Sequence, residues 1–82
     1  MNVTEHEVLK SVREIVNDVA GVPVEDITPE TRFVEDLGID SLSIIEIMVQ
    51  AQQDFGVEIP DDRLRDLTTV ADVVDYVRLR KR

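Results

Sequence analysis

Apolar residues recur every three or four positions along three stretches of this chain, the pattern of helices with one buried stripe. In the first stretch Val8, Leu9, Val12, Ile15, Val16 and Val19 share a face. Thr4 with Glu7 three residues on predicts a capping box at its start, and Gly21 with Pro23 predicts its end. The second stretch runs from about Ser41 to Phe55 and stops at Gly56. On a wheel of about 100° per residue, Ile44, Ile47, Met48, Ala51 and Phe55 fall together as a core stripe. Leu42, Glu46, Val49 and Gln53 fall opposite, with Ile45 at the flank. The third stretch carries Val70, Val73, Val74 and Val77, with Thr69 and Asp72 placed to cap it. Before it, Pro60 opens a short helical turn around Asp61 to Leu67. The segment Val57-Glu58-Ile59 is too short and isolated to pair as a strand. Residues 22–40, containing Pro29 and Gly38, form a long connection pinned to the core by Ile27, Phe33, Leu37 and Ile39. The predicted architecture is all-α. It is a four-helix bundle of three longer helices and one short one, with a long loop between the first and second. A structureless loop of that length in a small domain is unusual and often functional.

Composition narrows the class. The 82 residues suit a single domain spanning 1–82, and the 43% hydrophobic content suits a globular fold rather than a disordered one. There are no cysteines, which excludes disulfides and thiolate metal sites. No apolar run approaches the roughly 20 residues of a membrane span. The N-terminus has no signal-peptide layout, so the expected compartment is the cytoplasm. A net charge of −9 would be repelled by nucleic-acid phosphates, which removes nucleic acid as a partner. That charge is concentrated: between Glu25 and Asp66 stand 12 acidic residues against 3 basic ones, Arg32, Arg63 and Arg65. The field suits steering toward basic protein surfaces. The closing run Arg78, Arg80, Lys81 and Arg82 favours the C-terminal end of a helix through the dipole.

The candidate chemistry lies at the start of the second helix. Gly38 permits a sharp turn, Asp40 is a good N-cap, and Ser41 then occupies the first helical position, where a phosphate is favoured by the helix dipole. An isolated Asp-Ser pair is most often only a helix start. A nucleophilic serine needs a base, and the only histidine, His6, stands in the first turn of the first helix. The local sequence lacks a Gly-x-Ser-x-Gly elbow. A calcium loop begun at Asp36 fails, because Ser41 stands where glycine is required and Ile47 where the bidentate glutamate belongs. Gly21, Gly38 and Gly56 are too far apart for a nucleotide loop, and Asp61 and Asp62 after Pro60 are explained by a helix dipole. What remains is a strip of Leu42, Glu46 and Val49 within an acidic field, suited to brief docking of partners.

With Asp40-Ser41-Leu42 opening a helix, preceded by Phe33-Val34-Glu35-Asp36-Leu37-Gly38 and followed by Glu46 and Phe55-Gly56-Val57-Glu58-Ile59-Pro60-Asp61, the chain resembles the acyl carrier protein family. The resemblance covers nearly the whole chain, including Thr69-Val70-Ala71-Asp72-Val73-Val74. It is greatest to the free-standing carriers of dissociated fatty-acid synthases of actinobacterial type, whose helix begins Asp-Ser-Leu-Ser. The long C-terminal extension of mycobacterial meromycolate-extension carriers is not seen, and Gln52 and Gln53 stand where many fatty-acid carriers have acids.

The resemblance implies a non-catalytic carrier that is itself a substrate. A phosphopantetheinyl transferase would join 4′-phosphopantetheine from coenzyme A to Ser41, and the arm's thiol would carry acyl groups as thioesters. Asp40 would cap the helix and help position the metal used in transfer. Leu42, Glu46 and Val49 would dock partners, with Glu35, Asp36 and Asp61 adding charge. Those partners would be ketosynthase, acyltransferase, reductase and dehydratase enzymes with basic docking surfaces, meeting a monomeric carrier. Acyl chains would enter a pocket lined by Phe33, Met48, Ala51, Ile59 and Leu67. A carrier of a type II polyketide pathway, and more remotely an unmodified acidic interaction module, are the alternatives.

Overall fold

The computed structural model describes residues 4–80, so Met1, Asn2 and Val3, together with Lys81 and Arg82 of the basic run, lie outside the described residues. Four α-helices follow in order: α1 (Glu5–Ala20), α2 (Ser41–Phe55), α3 (Asp61–Leu64) and α4 (Val70–Arg80). Among the described residues there are no strands beyond one isolated antiparallel bridge between Arg32 and Thr69, and no helix is long and apolar enough to cross a membrane.

Local signals account for the helix ends. The Thr4 hydroxyl accepts the Glu7 N–H at 3.1 Å while Glu7 reaches back to the Thr4 N–H, a complete capping box. At the far end of α2 the chain leaves through Gly56 at φ 65°, and both the Gly56 and Val57 N–H groups donate to the Gln52 carbonyl. Thr69 and Asp72 cap α4 reciprocally: Thr69 Oγ1 accepts the Asp72 N–H at 3.1 Å, and the Asp72 carboxylate accepts the N–H groups of Thr68 and Thr69, each at 3.0 Å. Burial pushes the Asp72 carboxyl up, but the bonds from Thr69 and Thr68 outweigh it and hold the group below its ordinary value.

α1 packs against both α2 and α4. Its stripe of Val8, Val12, Ile15 and Val16 is buried together with Ile47, Met48 and Ala51 of α2 and Val70, Val73, Val74 and Val77 of α4. Burying one aliphatic side chain of this kind is worth about 1.5–3 kcal/mol, so this shared core dominates the stability of the bundle. Leu9, Val19, Ile44 and Phe55 are only half-buried at its edge.

The connection between α1 and α2 is not the structureless loop that its length suggests. A single 3₁₀ turn covers Val24–Asp26, and α1 holds the adjoining backbone through Arg13 to the Val24 carbonyl and Asn17 to the Val22 carbonyl. Buried Thr31 is satisfied by the Thr28 N–H at 2.9 Å. Arg32 to Gly38 coil into helix-like turns, in which Asp36 N–H donates to the Arg32 carbonyl and Gly38 N–H to the Val34 carbonyl, each at 3.0 Å. Backbone bonds from Phe33 to Thr68, from Val70 to Thr31 and from Ala71 to Pro29 stitch the loop onto the start of α4. Ile27, Phe33 and Ile39 are buried as anchors and Leu37 is half-buried. The short helix is also shorter than expected: α3 stops at Leu64, and tighter turns carry the chain to Leu67 through bonds from Asp66 to Arg63 and from Leu67 to Leu64.

Candidate functional site

The start of α2 is built by the stitched loop. Gly38, at φ 65°, takes up the left-handed conformation that ends the Arg32–Gly38 turn, and Ile39 N–H returns to the Phe33 carbonyl at 3.0 Å. With Ile39 buried, Asp40 emerges in extended conformation and its Oδ1 accepts the Ser43 N–H at 2.8 Å. That bond, given to the carboxylate form, holds the Asp40 carboxyl below its ordinary value. The cap is thus made by Asp40 and Ser43, which leaves Ser41, exposed at the first helical position, outside it. The chain has three serines, and the other two, Ser11 and Ser43, are half-buried. His6 is exposed in the first turn of α1.

Outward from Ser41, α2 presents Leu42, Ile45 and Val49 at 66%, 48% and 45% exposure, with Glu46 exposed among them. The wheel places Leu42, Glu46 and Val49 on one outer face, and the structure adds Ile45 to the exposed set. Glu35, Asp36 and Asp61 are exposed too. Glu35 and Asp36 are not free anions, however. Arg32 pairs with both, and Asp36 also accepts the Arg32 N–H at 2.8 Å, which with the side-chain bond from Arg32 holds its carboxyl below the ordinary value. Gln52 is used internally, its amide oxygen accepting the Ile59 N–H at 3.0 Å and fixing the extended segment after α2, while Gln53 is exposed.

Two hollows adjoin this surface. A groove of about 470 Å³ is lined by Ser41, Ile44, Ile45, Asp61, Leu64 and Arg65. A second cleft, of about 290 Å³, has Phe33, Ile44, Leu64 and Leu67 as its apolar wall and Arg32, Glu35, Arg65 and Thr68 among its polar residues. Phe33 and Leu67 therefore border a cleft, whereas Met48, Ala51 and Ile59 are buried in the packed interior and line neither hollow. Sequence periodicity does not single out Leu64 and Arg65, because α3 is one turn long; the one local signal is the basic character of Arg65 within an acidic stretch.

Comparison with known proteins agrees with this geometry. The family described as "Phosphopantetheine attachment site" matches residues 10–77. An acyl carrier protein of Thermobifida fusca is 55% identical over 95% of this chain and 99% of its own length. The meromycolate extension acyl carrier protein of Mycobacterium leprae is 49% identical over 95% of this chain and 68% of its own length. The solved structure of an acyl carrier protein from Enterococcus faecalis superposes with a TM-score of 0.79 at 29% identity, covering 95% of this chain and 99% of that one. The chain belongs to the phosphopantetheine-bearing acyl carrier proteins.

Proposed function

We propose that residues 1–82 form one carrier domain in which Ser41 is the residue that receives 4′-phosphopantetheine. The observation that carries this is the exposure of Ser41 beside the apolar groove at the start of α2, while Ser11 and Ser43 are half-buried. The residues present fit the group: an accessible hydroxyl, the positive end of a 15-residue helix for the phosphate, and Ile44, Ile45 and Leu64 along the groove for an arm. A separate phosphopantetheinyl transferase, with coenzyme A and Mg²⁺, joins Ser41 Oγ to the phosphopantetheinyl phosphorus. Oγ–H loses its proton to a base of that enzyme, and the other half of the coenzyme A pyrophosphate leaves. The chain's only histidine, His6, is in the first turn of α1 and does not line the Ser41 groove.

Once attached, the group supplies a terminal thiol that holds acyl chains as thioesters for the enzymes of fatty-acid synthesis. The chain's own work is to bind and orient. Asp40 caps α2 and offers its ionised carboxylate beside Ser41 for the transfer metal. Leu42, Glu46 and Val49, joined by Ile45, dock ketosynthase, acyltransferase, reductase and dehydratase partners, and Asp61 with the Arg32-bound Glu35 and Asp36 extends the acidic rim. An acyl chain enters past Phe33 and Leu67, and reaches Met48, Ala51 and Ile59 only by parting the core. We place the carrier in the cytoplasm as a monomer. Intact-mass analysis after incubation with coenzyme A, Mg²⁺ and a broad-specificity transferase tests the assignment. Wild type gains one phosphopantetheine and Ser41→Ala gains none; labelling at Ser11 or Ser43, or an unchanged wild-type mass, refutes it.

A further inference from the structure

Arg65 stands where the two hollows meet. Ile44, Leu64 and Arg65 line both the groove beside Ser41 and the cleft floored by Phe33 and Leu67, so the two are neighbours along a shared wall. Charge then separates Arg65 from the other bases of the acidic stretch. Arg32 is engaged by Glu35 and Asp36, and Arg63 faces Asp66 at 4.0 Å. Among the described residues Arg65 enters none of the ion pairs, and it is exposed. It is the one basic residue lining the Ser41 groove, where Asp61 is the one acid. A phosphodiester on Ser41 adds negative charge to a site already flanked by Asp40 and Asp61. A guanidinium in that groove offsets this charge, and its fork of donors matches phosphate oxygens.

We infer that Arg65 is a positioning residue for the prosthetic group, donating to a phosphodiester oxygen on Ser41 and so laying the start of the arm along Ile44 and Leu64 toward the cleft. The inference rests on Ser41 as the attachment residue. It assigns a role to a side chain on the α3 side of the groove, apart from the docking strip on α2.

The test compares unmodified and modified forms of wild type, Arg65→Ala, Arg65→Lys and Arg65→Glu, with each state verified by intact mass. Three quantities are read: the ³¹P resonance of the phosphodiester, the Nε–Hε resonance of Arg65, and the change in melting temperature on modification at low salt. In wild type, modification shifts the Arg65 resonance and changes the melting temperature more favourably than in Arg65→Ala. Arg65→Lys retains part of that gain and Arg65→Glu reverses it. The difference shrinks as salt screens the contact. A merely structural Arg65 would lower both forms of a variant equally. Identical ³¹P resonances and identical modification effects across wild type, Arg65→Ala and Arg65→Glu overturn the inference. So does a defect confined to reaction with partner enzymes, which would mean that Arg65 meets an acid on the partner. A missing mass gain in wild type overturns the Ser41 assignment and this inference with it, whereas a normal gain without coupling overturns this inference alone.

Discussion

Replacing Asp72 should loosen the clip that ties the long loop to α4. Its carboxylate accepts the N–H groups of Thr68 and Thr69 at 3.0 Å each and the Thr68 hydroxyl at 3.1 Å. Thr68 in turn receives the Phe33 N–H on its carbonyl, so the clip also supports a wall of the cleft. Asp72→Ala leaves the Thr69 cap in place but removes the other half of the capping box, whose charge-assisted bonds to Thr68 are worth about 1 kcal/mol. It also strands the half-buried Thr69 N–H, at a further cost of about 1 kcal/mol, toward the low end for a group that water can partly reach. At about 4–8 °C per kcal/mol for a domain of this size, the melting temperature falls by about 8–16 °C near pH 7. Asp75→Ala, exposed on the same helix, serves as the control and shifts stability by less than about 0.5 kcal/mol. The pH dependence carries a sign. Because the folded state depresses the Asp72 pKa below its ordinary 3.8, its stabilisation is complete above that value and is lost as pH falls through the folded pKa. Thermal melts followed by circular dichroism at pH 7 and in acid should therefore show a large gap between wild type and Asp72→Ala that closes in acid. A gap under about 2 °C at pH 7, or one that persists undiminished once the carboxylate is protonated, refutes the reasoning.

Three further outcomes are expected. Glu46→Lys or Val49→Asp, on the exposed face of α2, should slow modification by the transferase and reaction with synthase enzymes while leaving helicity intact; unchanged partner kinetics in both variants would make the strip idle surface. Asp40→Asn keeps a side-chain acceptor for the Ser43 N–H but removes the charge, so it should melt like wild type yet accept phosphopantetheine more slowly, and wild-type modification rates would confine Asp40 to capping. With −9 on 82 residues, modest NaCl should raise the melting temperature by screening over a Debye length of about 8 Å, and millimolar Mg²⁺ should raise it further, more at Asp61 and Asp62 than at Glu35 and Asp36, where Arg32 pairs with both carboxylates and offsets one of the two charges. A flat or falling titration with both salts counts against self-repulsion.

The helices and the exposed serine at the start of α2 are legible in the sequence because their signals are local. A capping box needs only Thr4 and Glu7 at the right spacing, and the end of α2 needs only a residue that tolerates positive φ at Gly56. The buried face of α2 follows from the helical repeat, which places Ile47, Met48 and Ala51 together and turns Leu42, Glu46 and Val49 away. Asp40 and Ser41 are neighbours in the chain, so no folding is required to bring cap and hydroxyl together. The loop and the hollows had to wait for the tertiary structure, because their partners are distant in sequence. Arg32 and Thr69 form a bridge across 37 positions, and no propensity within residues 22–40 encodes where Thr31, Phe33 and Pro29 find their hydrogen bonds. The same separation hides Arg65, which follows α3 directly and yet lines one groove with Ser41, 24 positions earlier in the chain. Chain-local hydrogen bonds and periodicity determined the helices; packing over long loops decided which charges and apolar walls surround the serine.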